Sequence, residues 1–169
     1  MTKIIVVGAG IGGTACALAL LKHGFEVELL EQARAFGEVG AGVQMSPNAN
    51  RVIESLGRLD AVLQVASRPE EGISTSWDTG ERLRVVPFGK HVMERWGYPY
   101  IHLYRPDFIT ALSDGLPAGI ARMGARVTAV REEADRVGAV LSDGEAVWGD
   151  ILVGADGIHS MVQKHLHGD

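Results

Sequence analysis

The sequence has a single cysteine, Cys16, in 169 residues. No internal disulfide is available, which suits a reducing compartment such as the cytoplasm. Cys16 lies in an apolar helical run with no charge pattern beside it to activate a thiol, so it reads as a small core residue. Basic runs are also missing. Lys and Arg number 16 against 21 Asp and Glu, for a net charge of −5. That balance argues against a nucleic-acid partner and against electrostatic docking on a membrane. The longest uninterrupted apolar run, residues 15–21, falls well short of the ~20 residues that span a bilayer. A secretory signal is a poor fit as well. Lys3 precedes an apolar stretch and Ala15-Cys16-Ala17 imitates a cleavage site, but Gly8, Gly10, Gly12 and Gly13 interrupt it. No metal site is legible. His165 and His167, with Asp169 nearby, are two residues apart, a spacing that puts the imidazoles on different helix faces. Trp77, Trp96 and Trp148 are dispersed and read as core or interface residues. There are no repeats.

Glycine, by contrast, is plentiful, with 22 residues, and 46% of the chain is apolar. This composition suits a loop-rich α/β fold rather than a helical bundle. Residues 4–7 form a continuous β-branched run ending at Gly8, the signature of a buried parallel strand. A helix follows over residues 11–23, with Gly24 placed to end it. Residues 27–30 form the next strand, completing a βαβ unit of about the expected ~30 residues. Residues 38–44 read as a glycine-rich loop containing Gly40 and Gly42. Ser46 and Pro47 then mark a helix start, and Ala49, Val52, Ile53 and Leu56 keep helical spacing up to Gly57. Residues 59–65 read as a further short helix.

The pattern changes after Pro69. Ile73, Thr75 and Trp77 alternate, as do Leu83 and Val85, with Asp78-Thr79-Gly80 between them. This reads as an antiparallel hairpin. It is foreign to a doubly wound sheet, so an insertion belonging to a second sheet is expected over about residues 72–99. Residues 100–104 read as extended and 106–112 as a helix. Strands follow over 126–131 and 136–141, around Val147, and over 151–153, with a last helix over 160–166.

Gly8-Ala9-Gly10-Ile11-Gly12-Gly13 fits the pattern G-x-G-x-x-G, and each glycine has a physical task. Gly8 allows the tight turn out of the strand, Gly10 lets a pyrophosphate reach the backbone, and Gly13 lets the helix pack closely. The pyrophosphate then meets the free N–H groups and positive dipole end of the helix. Glu31 ends the second strand near the ~20-residue spacing expected of a ribose-binding acid. A carboxylate there repels a 2′-phosphate. These features indicate dinucleotide binding and leave FAD and NAD open.

The choice between them comes from a resemblance. The runs Val6 to Gly13, Glu31-Gln32 and Gly40-Ala41-Gly42-Val43-Gln44-Met45-Ser46-Pro47-Asn48-Ala49 resemble the single-component FAD-dependent aromatic-ring monooxygenases. These include salicylate and 6-hydroxynicotinate hydroxylases. The segment Tyr98 to Phe108 is similar to theirs around a flavin-contacting arginine, and Val153-Gly154-Ala155-Asp156-Gly157-Ile158-His159-Ser160 is similar to their Asp-Gly motif. The resemblance covers nearly the whole chain. It implies a Rossmann-like FAD-binding βαβ domain over residues 1–169, with part of an inserted antiparallel substrate-domain sheet. It implies that Gly8, Gly10, Ile11, Gly12, Gly13, Glu31 and Gln32 hold the adenosine and pyrophosphate end of FAD. Gly42, Val43 and Gln44 would approach the flavin or its ribityl chain, Arg105 the ribityl–phosphate region and Val127 the adenine. Asp156 and Gly157 would serve both FAD and a passing nicotinamide nucleotide. Read from the residues alone, Asp156 is equally suited to capping the last helix.

The activity implied is hydroxylation of a small aromatic acid with O₂ and NADH or NADPH, the nucleotide binding transiently, through a C4a-hydroperoxyflavin. Three departures stand out. Gln44 replaces the histidine of the 6-hydroxynicotinate enzymes, Gln163 replaces an arginine that usually follows the Asp-Gly motif, and the family's later Gly-Asp motif is absent. The chain is therefore expected to be the truncated front part of such an enzyme, inactive by itself, with no catalytic residue identified. A homo-oligomer remains open. So do two other readings: a related FAD enzyme such as an epoxidase or reductase, and a non-catalytic FAD-binding module.

Overall fold

The computed structural model describes residues 1–36 and 41–168. The part of the expected glycine-rich loop at residues 37–40, with Gly40, and Asp169 of the weighed histidine group lie outside the described residues. The chain divides into two compact units, Met1–Glu38 with Ile109–Asp169, and Val39–Phe108.

In the first unit, strand β1 (Lys3–Val7) leads into helix α1 (Ile11–Lys22) and strand β2 (Glu26–Glu31). The second unit opens with β3 (Gly42–Met45), α2 (Pro47–Ser55) and α3 (Leu59–Gln64). The hairpin strands β4 (Glu71–Thr75) and β5 (Arg82–Pro87), helix α4 (Gly89–Trp96) and strand β6 (Ile101–Tyr104) follow. Helix α5 (Arg105–Ser113) carries the chain back into the first unit. There β7 (Ala121–Met123), β8 (Val127–Glu132), β9 (Val137–Leu141), β10 (Ala146–Gly149) and β11 (Ile151–Gly154) precede a 3₁₀ turn (Gly157–His159) and α6 (Met161–His167).

The first unit is built on a parallel sheet ordered β11-β1-β2-β7, with a three-stranded antiparallel sheet β10-β9-β8. The continuous apolar run of β1 is explained by burial on both faces. Ile4 and Val6 join Ala9, Ala17, Val27 and Leu29 in one cluster, against which Cys16, Leu20 and Leu21 of α1 pack. Ile5 and Val7 join Leu30, Ala139, Leu141, Val147 and Val162 in another, formed with β9, β10 and α6. Side chains alternate across a strand, so one five-residue segment feeds two cores.

Cys16 sits at the edge of the first cluster, half-buried, as a packing residue. Burial raises its thiol pKa, which favours the inert protonated form. Two features hold the outer sheet. Arg122 of β7 makes a bidentate contact with Glu145, at 2.7 and 2.5 Å. The ring of Trp148 lies on Gly138 of its partner strand, with the Arg136 guanidinium 4.2 Å from the ring centroid.

The second unit pairs β3 with β6 and β4 with β5, both antiparallel. The expected hairpin is present, and Gly80 takes a left-handed φ of 71° in its turn. It occupies only part of a wider unit that also holds the β3–β6 ribbon and three helices. Two expectations need correction, and two elements went unread. Residues 42–44, read as loop, are strand, because β6 supplies their ladder partners. Helix α4 and strand β7 were not legible. Trp77 is 96% exposed and Trp96 60%, so of the core-or-interface reading only the interface half stays open for these two.

Candidate functional site

The first group of expected site residues sits at the carboxyl ends of β1, β2 and β11. Ligands of open α/β sheets bind at such ends where the strand order turns back, and here β1 lies between β2 and β11. Gly8 leaves β1 with φ 96°, and its N–H donates to the Leu30 carbonyl at 2.7 Å. A Cβ on Gly8 would stand 2.5 Å from the Ala155 carbonyl oxygen, and one on Gly13 only 1.8 Å from the Gly8 carbonyl oxygen. Both positions are therefore closed to any side chain. A Cβ on Gly12 meets nothing within 4 Å, so that side of the turn is open. Thr14, fully buried, ties the turn down by donating its hydroxyl to the Ala9 carbonyl at 3.1 Å.

Gly10 is the N-cap of α1. It is extended, with no side-chain cap, and the first turn holds no acidic residue. The N–H groups of Ile11, Gly12 and Gly13 fall in the first turn, where an α-helix has no internal acceptor to offer. A 12-residue helix adds its dipole to these donors. The arrangement fits a pyrophosphate: donors without a competing carboxylate, and glycine where a ligand must come close.

Glu31 is half-buried at the end of β2. Its Oε2 accepts from the Ala9 N–H at 2.7 Å and its Oε1 from the Ala33 N–H at 2.8 Å. The acid thus fastens the glycine turn to β2. Each carboxylate oxygen keeps a second lone pair for a ribose hydroxyl. Gln32 follows as an exposed residue.

Asp156 stands just beyond β11. Its Oδ2 accepts from the N–H groups of Met161, at 2.7 Å, and Val162, at 3.2 Å, and its Oδ1 accepts the Ser160 hydroxyl at 2.5 Å. Ser160 in turn accepts from the Gln163 N–H at 2.9 Å. The capping reading of Asp156 is therefore borne out. Gly157 follows in left-handed conformation, φ 80°, and starts the exposed turn of Ile158 and His159. Val127, the first residue of β8, is partly buried against the core.

The second group lies in the other unit. Val43 pairs with Leu103 and Met45 with Ile101, and Ile101, Leu103 and Met45 are buried. Gly42 and Gln44 belong to the opposite, outward face, across from Tyr104 and His102. A Cβ on Gly42 would meet nothing within 4 Å. The Arg105 N–H donates to the Ala41 carbonyl at 3.0 Å, which places Arg105 beside the start of β3. Two features were not singled out in the sequence. The Tyr100 hydroxyl donates to Gln44 Oε1 at 2.8 Å, and Asn50, fully buried, donates to the Pro99 carbonyl at 2.9 Å. Both join residues about fifty positions apart, which no local pattern reveals. Of the weighed histidines, His165 pairs with Glu132 at 2.8 Å, and no metal-binding cluster occurs among the described residues.

A family model described as an FAD binding domain matches residues 1–168. The 6-hydroxynicotinate 3-monooxygenase of Bordetella bronchiseptica is 36% identical over 166 residues, covering 98% of this chain and 43% of its own length. A salicylate hydroxylase of Pseudomonas putida is 42% identical over 168 residues, covering 97% of this chain and 38% of its own length. Klebsiella pneumoniae HpxO, solved with FAD and uric acid, matches with a TM-score of 0.87 at 28% identity, over 97% of this chain and 41% of that one. The chain spans about four-tenths of the length of these relatives. With a helix start open to a pyrophosphate and an acid at the end of the second strand, this chain belongs to the FAD binding domain family, whose model matches it almost end to end.

Proposed function

We propose that this chain is the FAD-binding portion of a cytoplasmic flavin monooxygenase that hydroxylates a small aromatic acid with NADH or NADPH and O₂. The observation that carries the reading is the uncapped, acid-free start of α1, with Gly13 packed against the Gly8 carbonyl oxygen. That arrangement leaves backbone donors for a pyrophosphate and little else. The names of the relatives support the aromatic-ring part.

In this reading the N–H groups of residues 11–13 hold the pyrophosphate, and Glu31, with Gln32 beside it, accepts the adenosine ribose hydroxyls. Val127 meets the adenine. Asp156 keeps the β11–α6 corner in place, so that the Gly157 backbone faces the nucleotide. In the second unit, Gly42, Val43 and Gln44 meet the flavin end and Arg105 its ribityl–phosphate stretch. Bound FAD would supply the redox and oxygen chemistry, while these residues bind, orient and shield it.

Titrating the purified chain with FAD and following flavin fluorescence tests the binding. Saturable one-to-one quenching is expected. A folded chain that leaves FAD fluorescence unchanged at excess protein would overturn the proposal. For the whole protein, the corresponding measurement is NAD(P)H oxidation coupled to a hydroxylated aromatic product.

A further inference from the structure

The face of the β3–β6 ribbon that carries Gln44 and His102 holds a polar–aromatic chain in which Phe88, Tyr100 and His102 are half-buried. Phe88 lies over Gly72 of the hairpin, where a Cβ would come within 2.8 Å of its ring. The Phe88 ring stacks on Tyr100 at 4.2 Å between centroids and 13° between planes. His102 meets Tyr100 edge-on at 5.5 Å. Held from both sides, the Tyr100 hydroxyl donates to Gln44 Oε1. Gln44 and His102 are direct cross-strand partners, and Gly42 beside them leaves the backbone bare.

A carboxamide has one acceptor end and one donor end. With its oxygen taken by Tyr100, Gln44 presents its NH₂ outward, and this group has no hydrogen-bond partner among the described residues. We propose that Tyr100 is a positioning residue that makes Gln44 a dedicated donor to an acceptor atom on a planar ring ligand. This rests on the FAD reading above. The acceptor belongs either to the flavin ring or to the aromatic acid, and both present oxygen acceptors on a planar ring.

The test compares the wild-type chain with Tyr100→Phe, Gln44→Leu and the double variant, using FAD and ADP as ligands. Folding of each is checked by far-ultraviolet circular dichroism. ADP lacks the flavin, so it reports the nucleotide end alone. If the flavin is the acceptor, each single variant weakens FAD binding about fivefold, the worth of one ordinary hydrogen bond, and leaves ADP unchanged. The double variant is then no weaker than Gln44→Leu, because the two residues act as one unit. If the ring acid is the acceptor, FAD and ADP affinities stay level, and the variants instead weaken the salicylate-induced change in the flavin absorption of the FAD-loaded chain. Unchanged behaviour in both arms, or additive losses in the double variant, overturns the proposal. Failure of the wild type to bind either FAD or ADP overturns the underlying FAD reading instead.

Discussion

Two glycine-bearing segments, Gly8 to Gly13 and the start of β3 at Gly42, use the same residue for opposite reasons. In the first, glycine is compelled by the protein itself. A methyl group on Gly13 would sit 1.8 Å from the Gly8 carbonyl oxygen, and one on Gly8 2.5 Å from that of Ala155. In the second, no described residue forbids a side chain, for a Cβ on Gly42 would meet none of their atoms within 4 Å. The first segment is fixed by the packing of the fold; under the proposed function the second would be kept for a ligand.

Substitutions at the compelled positions are expected to have the largest effect. Gly13→Ala forces a Cβ into backbone, which cannot retreat as a flexible side chain can. Overpacking of this kind costs on the order of 1–3 kcal/mol or more, and the same shift displaces the donors of residues 11–13. Urea unfolding should show a lowered midpoint and FAD titration should show no binding. A Gly13→Ala chain of wild-type stability would remove the basis of the comparison.

Glu31→Gln comes next. The carboxylate accepts from both Ala9 and Ala33, and the carboxamide keeps only one acceptor oxygen. One charge-assisted bond is lost and one backbone N–H is left facing an NH₂ group, a loss of about 1.5–3 kcal/mol. The expected readout is a fall in stability together with weaker binding of both FAD and ADP. Loss of binding with unchanged stability would mean that Glu31 serves the ligand and does not fasten the turn.

How much of this was legible follows the same division. The βαβ unit and its glycine pattern could be read because every constraint lies within about thirty residues: a buried strand, a turn, a helix and a second strand. The Asp78-Thr79-Gly80 hairpin was legible for the same reason. The tip of β3 was misread as loop because its partner, β6, lies some sixty residues away, and glycine content alone suggests a turn. Strand β7, Ala121-Arg122-Met123, has no β-branched residue and no alternation. It is a strand because the open edge of β2 offers it ladder hydrogen bonds, Leu29 opposite Ala121. Helix α4 begins at a glycine, has no side-chain cap and buries none of its residues, so it carries none of the usual start signals. Gln44 was legible as a site candidate, but its hydrogen bond from Tyr100 joins residues 56 positions apart.

A smaller effect is expected at the edge strand of the first unit. The hydrogen bond and charge of Arg122 lower the Glu145 pKa. A carboxylate with a depressed folded value adds stability that is present above its unfolded value and is lost as the pH falls through the folded one. Both partners are solvent-exposed, so the contribution is small. Acid unfolding of wild type and Glu145→Gln should therefore converge at low pH and separate slightly at neutral pH, wild type being the more stable. A gap that instead widened on acidification would reverse the assigned sign.

The smallest stability change is expected for Gly42→Ala, and this variant bears most directly on the comparison. Gly42 is not in the left-handed region and its added Cβ meets nothing, so the methyl group neither strains nor crowds the folded chain. Removing a glycine from an unfolded chain is itself mildly favourable, by about 0.4–1 kcal/mol. Unfolding midpoints should be level with the wild type or slightly higher. FAD affinity should fall nonetheless, with ADP affinity unchanged, because the methyl group occupies the bare backbone that the flavin end would approach. Stability held while one ligand is lost and the other kept separates a glycine reserved for a ligand from one required by packing. Equal binding of FAD by Gly42→Ala and wild type would make Gly42 an ordinary surface glycine and end its contrast with Gly8 and Gly13.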